Sequence, residues 1–142
     1  ANLVSQNKFE EAVKNLEKAL ELGYDEDSDT GYYLAKAYYG LKKYDVVRNM
    51  LKYVDIKEDP EALNLLALSH MKLREWAQAR DIFKELTGKY PKNHIMLTNL
   101  AKCELKLNEF EAAKTYASKA LEVFSDFDDA IKILKKVEQN EQ

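Results

Sequence analysis

The side chains best equipped for chemistry are few: His70, His94, the single thiol of Cys103, and the acidic run Asp25-Glu26-Asp27-Ser28-Asp29. A zinc site needs ligands three or four residues apart on a helix, or a Cys-x-x-Cys knuckle, and neither pattern occurs. No nucleophile stands at a spacing that would pair with either histidine, so His70 is expected to pack and His94 to open a helix. The acidic run lacks the alternating ligands and closing Glu of a calcium loop and passes straight into Tyr32-Tyr33. It reads as a cap, with carboxylates and hydroxyl accepting from the first N–H groups of the next helix and opposing its dipole. Phosphate-cradling glycine loops and the Gly-x-Ser-x-Gly elbow are absent. Cys103 has no partner for an internal disulfide and falls among small residues, as a packed core thiol does. These residues predict a protein that is not an enzyme and that takes no metal or cofactor.

The elements around them repeat. Phe9, Tyr44, Trp76 and Phe110 recur at intervals of 35, 32 and 34 residues. Three residues after each comes Ala12, Val47, Ala79 or Ala113, and four further on comes Leu16, Leu51, Phe83 or Ala117. Offsets of three and four mark one face of a helix. Upstream, Leu34-Ala35, Leu66-Ala67 and Leu100-Ala101 hold the same phase, so each unit carries two helices.

A period near 34 with paired helical stripes resembles the tetratricopeptide repeat family. The resemblance rests on Leu34-Ala35 with Tyr38, on Ala79 with Phe83, on Leu86 and on Pro91, and it covers almost the whole chain. Departures are local: Gly31 and Leu63 stand near the family's Trp, His70 and Glu104 stand at its Tyr, and Val47 replaces a small Ala. The fold this implies is all-α, a right-handed superhelix of about three and a half helix-turn-helix repeats plus a C-terminal capping helix.

The expected organisation is one domain over 1–142, divided into a truncated repeat 1–26, repeats 28–59, 60–93 and 94–127, and a cap over 128–142. The first unit reads as a short stub at Leu3-Val4 and then a helix from Phe9 to Leu22, stopped by Gly23. Asp59-Pro60 opens the third unit as N-cap and first helical residue. Gly88 and Pro91 break that unit's second helix. Very short corners at Lys42-Lys43, Arg74-Glu75 and Asn108-Glu109 force antiparallel hairpins. Ala130, Ile131, Leu134 and Val137 form the apolar face of the last helix. Because Ala1 enters in mid-repeat, upstream sequence is expected to be missing, and a cytoplasmic location is only the default.

A net charge of −3 argues against nucleic acid as partner, and no apolar run approaches the roughly 18 residues that span a bilayer. Helical-repeat RNA binding would want a basic face this chain lacks. What the resemblance implies instead is an adaptor that binds a peptide or helix of another protein in a groove lined by the first helices. In the family's register the groove residues are Val4; Tyr32, Lys36 and Tyr39; Asn64, Leu68 and Met71; and Thr98, Lys102 and Leu105. Asn99 stands beside them. Tyr33, Tyr38, Tyr44 and Tyr53 are expected to fill gaps between units. The chaperone-binding subclass grips a C-terminal carboxylate with Lys, Asn and Arg, whereas here Tyr33 and Leu65 take the middle Asn place. The alternative role is a structural or self-associating scaffold that stacks through its open N-terminal edge.

Overall fold

The computed structural model describes residues 3–21, 28–52 and 59–141, and among them lie eight α-helices and no strand. The chain divides into two compact units, Ala1–Leu73 and Arg74–Gln142. The division falls between Leu73 and Arg74, inside the residues read from sequence as the third repeat.

The first unit holds α1 (Leu3–Glu21), α2 (Ser28–Gly40), α3 (Tyr44–Lys52) and α4 (Pro60–Lys72). The expected stub before Phe9 is instead the start of α1. Ser5-Gln6-Asn7-Lys8 contains neither Gly nor Pro, so no residue there stops a helix already under way. Helix α1 packs on α2, α2 on α3, and α3 on α4. Their core is Val13, Leu34 and Ala37, flanked by Ala12, Tyr38, Leu41 and Met50. Tyr38 also donates its hydroxyl hydrogen to the Glu17 carboxylate, tying α2 to α1. The acidic residues Asp25, Glu26 and Asp27, the stop at Gly23, and Tyr53 lie outside the described residues.

Asp59 caps α4 as expected: its Oδ1 accepts from the Glu61 and Ala62 N–H groups at 3.1 and 3.2 Å, and Pro60 takes the first turn. Such a cap is worth about 1 kcal/mol.

The second unit holds α5 (Trp76–Lys89), α6 (His94–Lys106), α7 (Phe110–Val123) and α8 (Asp128–Glu141). Gly88 does not break α5, which runs through it to Lys89. A glycine weakens a helix by about 1 kcal/mol without ending it, and the stop belongs to Pro91, which pushes Tyr90 out of helical conformation. Tyr90 sits at φ −124, ψ 69. Alanines make this unit tight: Ala101, Ala113, Ala117, Ala120 and Ala130 are fully buried, with Leu97, Ile133 and Val137 filling the space between. On α8 the core residue that periodicity missed is Ile133. Ile131, assigned to the apolar face from sequence, is only half-buried. Phe83 and Leu86 on α5 are fully buried, each stabilising by about 2–3 kcal/mol.

Three corners share one device. Lys42, Arg74 and Asn108 adopt φ of 63, 62 and 63, the left-handed region that favours glycine. At the first corner the Lys43 N–H reaches the Tyr38 carbonyl and the Lys42 N–H the Tyr39 carbonyl, at 3.0 and 2.9 Å. Glu109 to Glu104 and Asn108 to Leu105 repeat the pattern at the third, at 2.8 and 3.1 Å. This paired closure satisfies the last helical carbonyls and turns the chain back at once.

Candidate functional site

The residues expected to meet a partner are divided between the two units. In the first, Tyr32, Lys36 and Tyr39 stand at i, i+4 and i+7 on one face of α2. Lys36 is exposed, while Tyr32 and Tyr39 are half-buried. The Lys36 ammonium lies 5.8 Å from the centre of the Tyr32 ring, and Tyr39 meets Tyr44 edge-on with centroids 5.1 Å apart. Burial raises the phenol pKa of both Tyr32 and Tyr39, with Glu61 and Asp59 adding to the rise at Tyr32. Tyr33, expected to fill a gap between units, is 56% exposed and rests its ring against Tyr32 at 5.6 Å. It sits one residue round the helix from Leu34, which takes the inward position.

On α4 the expected Asn64, Leu68 and Met71 are half-buried, whereas Leu65, Leu66, Ala67 and Ser69 are buried. Ser69 tolerates burial because its hydroxyl bonds the Leu65 carbonyl at 3.0 Å. Val4 lies on α1, and its side chain is outside the described residues.

The second unit contributes less than sequence promised. Lys102 is exposed and Leu105 is half-buried against the unit's own core. Thr98 is a correction: it is buried, and its hydroxyl donates to the His94 carbonyl at 2.7 Å, so it offers a ligand nothing. Ile95, 55% exposed, stands three positions before Thr98 on α6 and was missed. The same spacing rule that picked Lys102 and Leu105 would have reached it. Lys106 covers the Trp76 ring at 5.7 Å.

His94 opens α6 as expected, but it also joins an aromatic trio. Its ring stacks on Phe124 at 5.2 Å and meets Phe127 edge-on at 4.8 Å. No helical period points to Phe124 or Phe127, because both lie in the α7–α8 joint. Cys103 is wholly buried, and burial, with help from the neighbouring Glu104, pushes its thiol up to about 12. Glu104 is 3% exposed, and its Oε1 accepts no hydrogen bond. Arg80 Nε stands 3.7 Å from it and turns to Asp81 at 3.1 Å. Burial raises the Glu104 pKa against the opposing pull of Lys84 and Arg80. Among the described residues no helix is long and apolar enough to cross a membrane.

Residues 64–126 match the tetratricopeptide repeat family model. Comparison with curated proteins gives no match at a significant level. Among solved structures, the chain is similar to the protein titled MamA AMB-1, at a TM-score of 0.77 and 16% identity, covering 98% of this chain and 84% of that one. It is similar to the first tetratricopeptide domain of Spaghetti (RPAP3) bound to the HSP90 peptide SRMEEVD, at 0.71 and 19% identity, covering 78% and 89%. The Sgt2 domain from Aspergillus fumigatus follows at 0.69 and 16%, covering 82% and 80%. At these identities the likeness is one of fold.

Proposed function

We propose that the protein is a non-enzymatic interaction module that binds a peptide or helix of a partner protein: residues 64–126 match the tetratricopeptide repeat family model, and the fold is similar to that of solved tetratricopeptide domains. The ligand lies against the first-helix faces of the first unit, on Tyr32, Lys36, Tyr39, Asn64, Leu68 and Met71. One observation carries the reading. Large side chains on α2 and α4 keep surface open to solvent, while their neighbours Leu34, Ala35, Leu66 and Ala67 are buried. Half-open Tyr, Leu and Met on these two helices give a partner apolar surface to bury. The peptide carried by the RPAP3 domain supports this use of the fold. It does not extend to the same peptide, because Tyr33 and Leu65 stand where the carboxylate grip requires Asn, and Leu65 is buried.

The test is capture of partner proteins by the intact chain and by Tyr39→Ala, Met71→Ala and Lys36→Glu. Each variant is expected to weaken capture while helicity and melting temperature stay near the parent's. Binding lost only in step with unfolding removes the support for this surface.

A further inference from the structure

We infer that the second unit pairs with a second copy of this chain, through the end where α5 passes to α6 and α7 passes to α8. Four of the five large apolar side chains that stand exposed among the described residues gather there: Tyr90 and Ile95 at the first joint, Val123 and Phe124 at the second. The two joints lie side by side, because His94 at the start of α6 stacks on Phe124 at the end of α7. This end shares no residue with the ligand surface on α2 and α4.

The joints are built alike. The N–H groups of Tyr90 and Phe124 donate to the Leu86 and Ala120 carbonyls at 2.8 and 2.9 Å, and their own carbonyls accept from Asn93 and Phe127 at 3.1 and 3.2 Å. Each turn thus leaves a ring in solvent at the same place in the 34-residue repeat, 43% exposed for Tyr90 and 48% for Phe124. Their charges are opposite. Lys89 and Lys92 are the only Lys, Arg, Asp or Glu from 89 to 94, whereas Glu122, Asp126, Asp128 and Asp129 are the only ones from 122 to 129, and all six are exposed. Asp128 is taken by Lys132 at 3.0 Å. Lys92 and Asp126, at equivalent places in the two joints, form no ion pair among the described residues.

A basic joint beside an acidic one selects the occupant. A two-fold axis between the joints lays the basic joint of one copy on the acidic joint of the other, makes that contact twice, and so closes at a dimer. Lys92 then faces Asp126 of the second copy, and Phe124 of the second copy enters the open recess of about 460 Å³ lined by Lys89, Tyr90, Pro91, Lys92 and Asn93. That ring arrives held, by His94 stacked at 5.2 Å and Phe127 edge-on at 6.0 Å, and loses little freedom on binding. A ligand of one charge sign, an acidic peptide or a nucleic acid, would set like charges against the acidic joint, and a basic peptide would set them against the other. Four apolar side chains make a small interface, below about 1,200 Å² in total, so the dimer is weak.

The experiment is sedimentation equilibrium of the full chain at concentrations up to about 500 μM. The parent is expected to pass from monomer to dimer and no further, with the dimer weakened by salt. Lys92→Glu sets acid against acid in both contacts and Asp126→Lys sets base against base, so each alone is expected to weaken the dimer about ten-fold. Mixed in equal amounts, the two variants meet with opposite charges in both contacts, and the mixture is expected to dimerise as the parent does. That recovery also shows that both variants fold. Phe124→Ala should weaken the dimer several-fold, while Glu111→Lys, in the first turn of α7 and away from the joints, should leave it unchanged. A chain that stays monomeric throughout overturns the inference, as does growth beyond the dimer or a dimer indifferent to both charge reversals. Failure of the mixture to recover overturns it as well.

Discussion

Two glycines in matched positions near helix ends separate packing from propensity. A Cβ built on Gly40, the last residue of α2, falls 2.5–2.6 Å from three atoms of the Phe9 ring on α1, whereas at Gly88 nothing lies within 4 Å. Replacing either by Ala reduces the freedom of the unfolded chain and favours helix by about 0.5–1 kcal/mol. At Gly88 that gain stands alone, so Gly88→Ala is expected to stabilise by about that amount, raising Tm by about 1–4 °C. At Gly40 the half-buried Phe9 ring must move, and overpacking of this kind costs about 1–3 kcal/mol. Gly40→Ala is therefore expected to end near zero or up to about 2 kcal/mol less stable. The assay is urea unfolding followed by circular dichroism, with midpoints compared at constant slope. A double-mutant cycle with Phe9→Leu isolates the contact, and the loss at Gly40 should shrink by about 1 kcal/mol once the ring is gone. If Gly40→Ala stabilises as much as Gly88→Ala with Phe9 in place, the α1–α2 contact does not exist in solution.

Three further outcomes are expected. Glu104 has its folded pKa raised by burial, so its contribution to stability is full below the unfolded carboxylate pKa and is lost as pH rises through the folded value; Glu104→Gln should flatten that slope and stabilise by about 1–3 kcal/mol near neutrality, and an unchanged or lower midpoint at pH 7 refutes it. Lys42→Gly should gain about 1 kcal/mol by relieving left-handed strain, and Asn108→Gly less, because Asn already tolerates that region; equal gains, or losses, speak against the corner geometry. The Cys103 thiol, buried and pushed up to about 12, should resist thiol reagents at pH 8 in the native chain and react within seconds in denaturant, so rapid native labelling would contradict its burial.

The resemblance was legible because several independent positions keep one register, and a helix face imposes that register on any sequence that packs. Ala79, Phe83, Leu86, Leu100 and Ala101 are all wholly buried. The Asp59-Pro60 start was equally legible, since capping depends on residues adjacent in the chain. Periodicity could not tell that Ile133 rather than Ile131 enters the last core, because the two differ by which way α8 is rolled on α6 and α7. Nor could it see that Thr98 turns its hydroxyl back on its own helix, or that Tyr33 stays outside.

Composition and spacing thus determined the helices, the pairing of α2 with α3 and of α6 with α7, and the small-against-large packing, all consequences of contacts between residues close along the chain. Tertiary structure alone decided the Glu104 oxygen that accepts no hydrogen bond, the Phe9 ring over Gly40 and the trio of His94, Phe124 and Phe127. Each depends on which side chains distant in sequence arrive at the same point, and that is set by how one helix is rotated against the next.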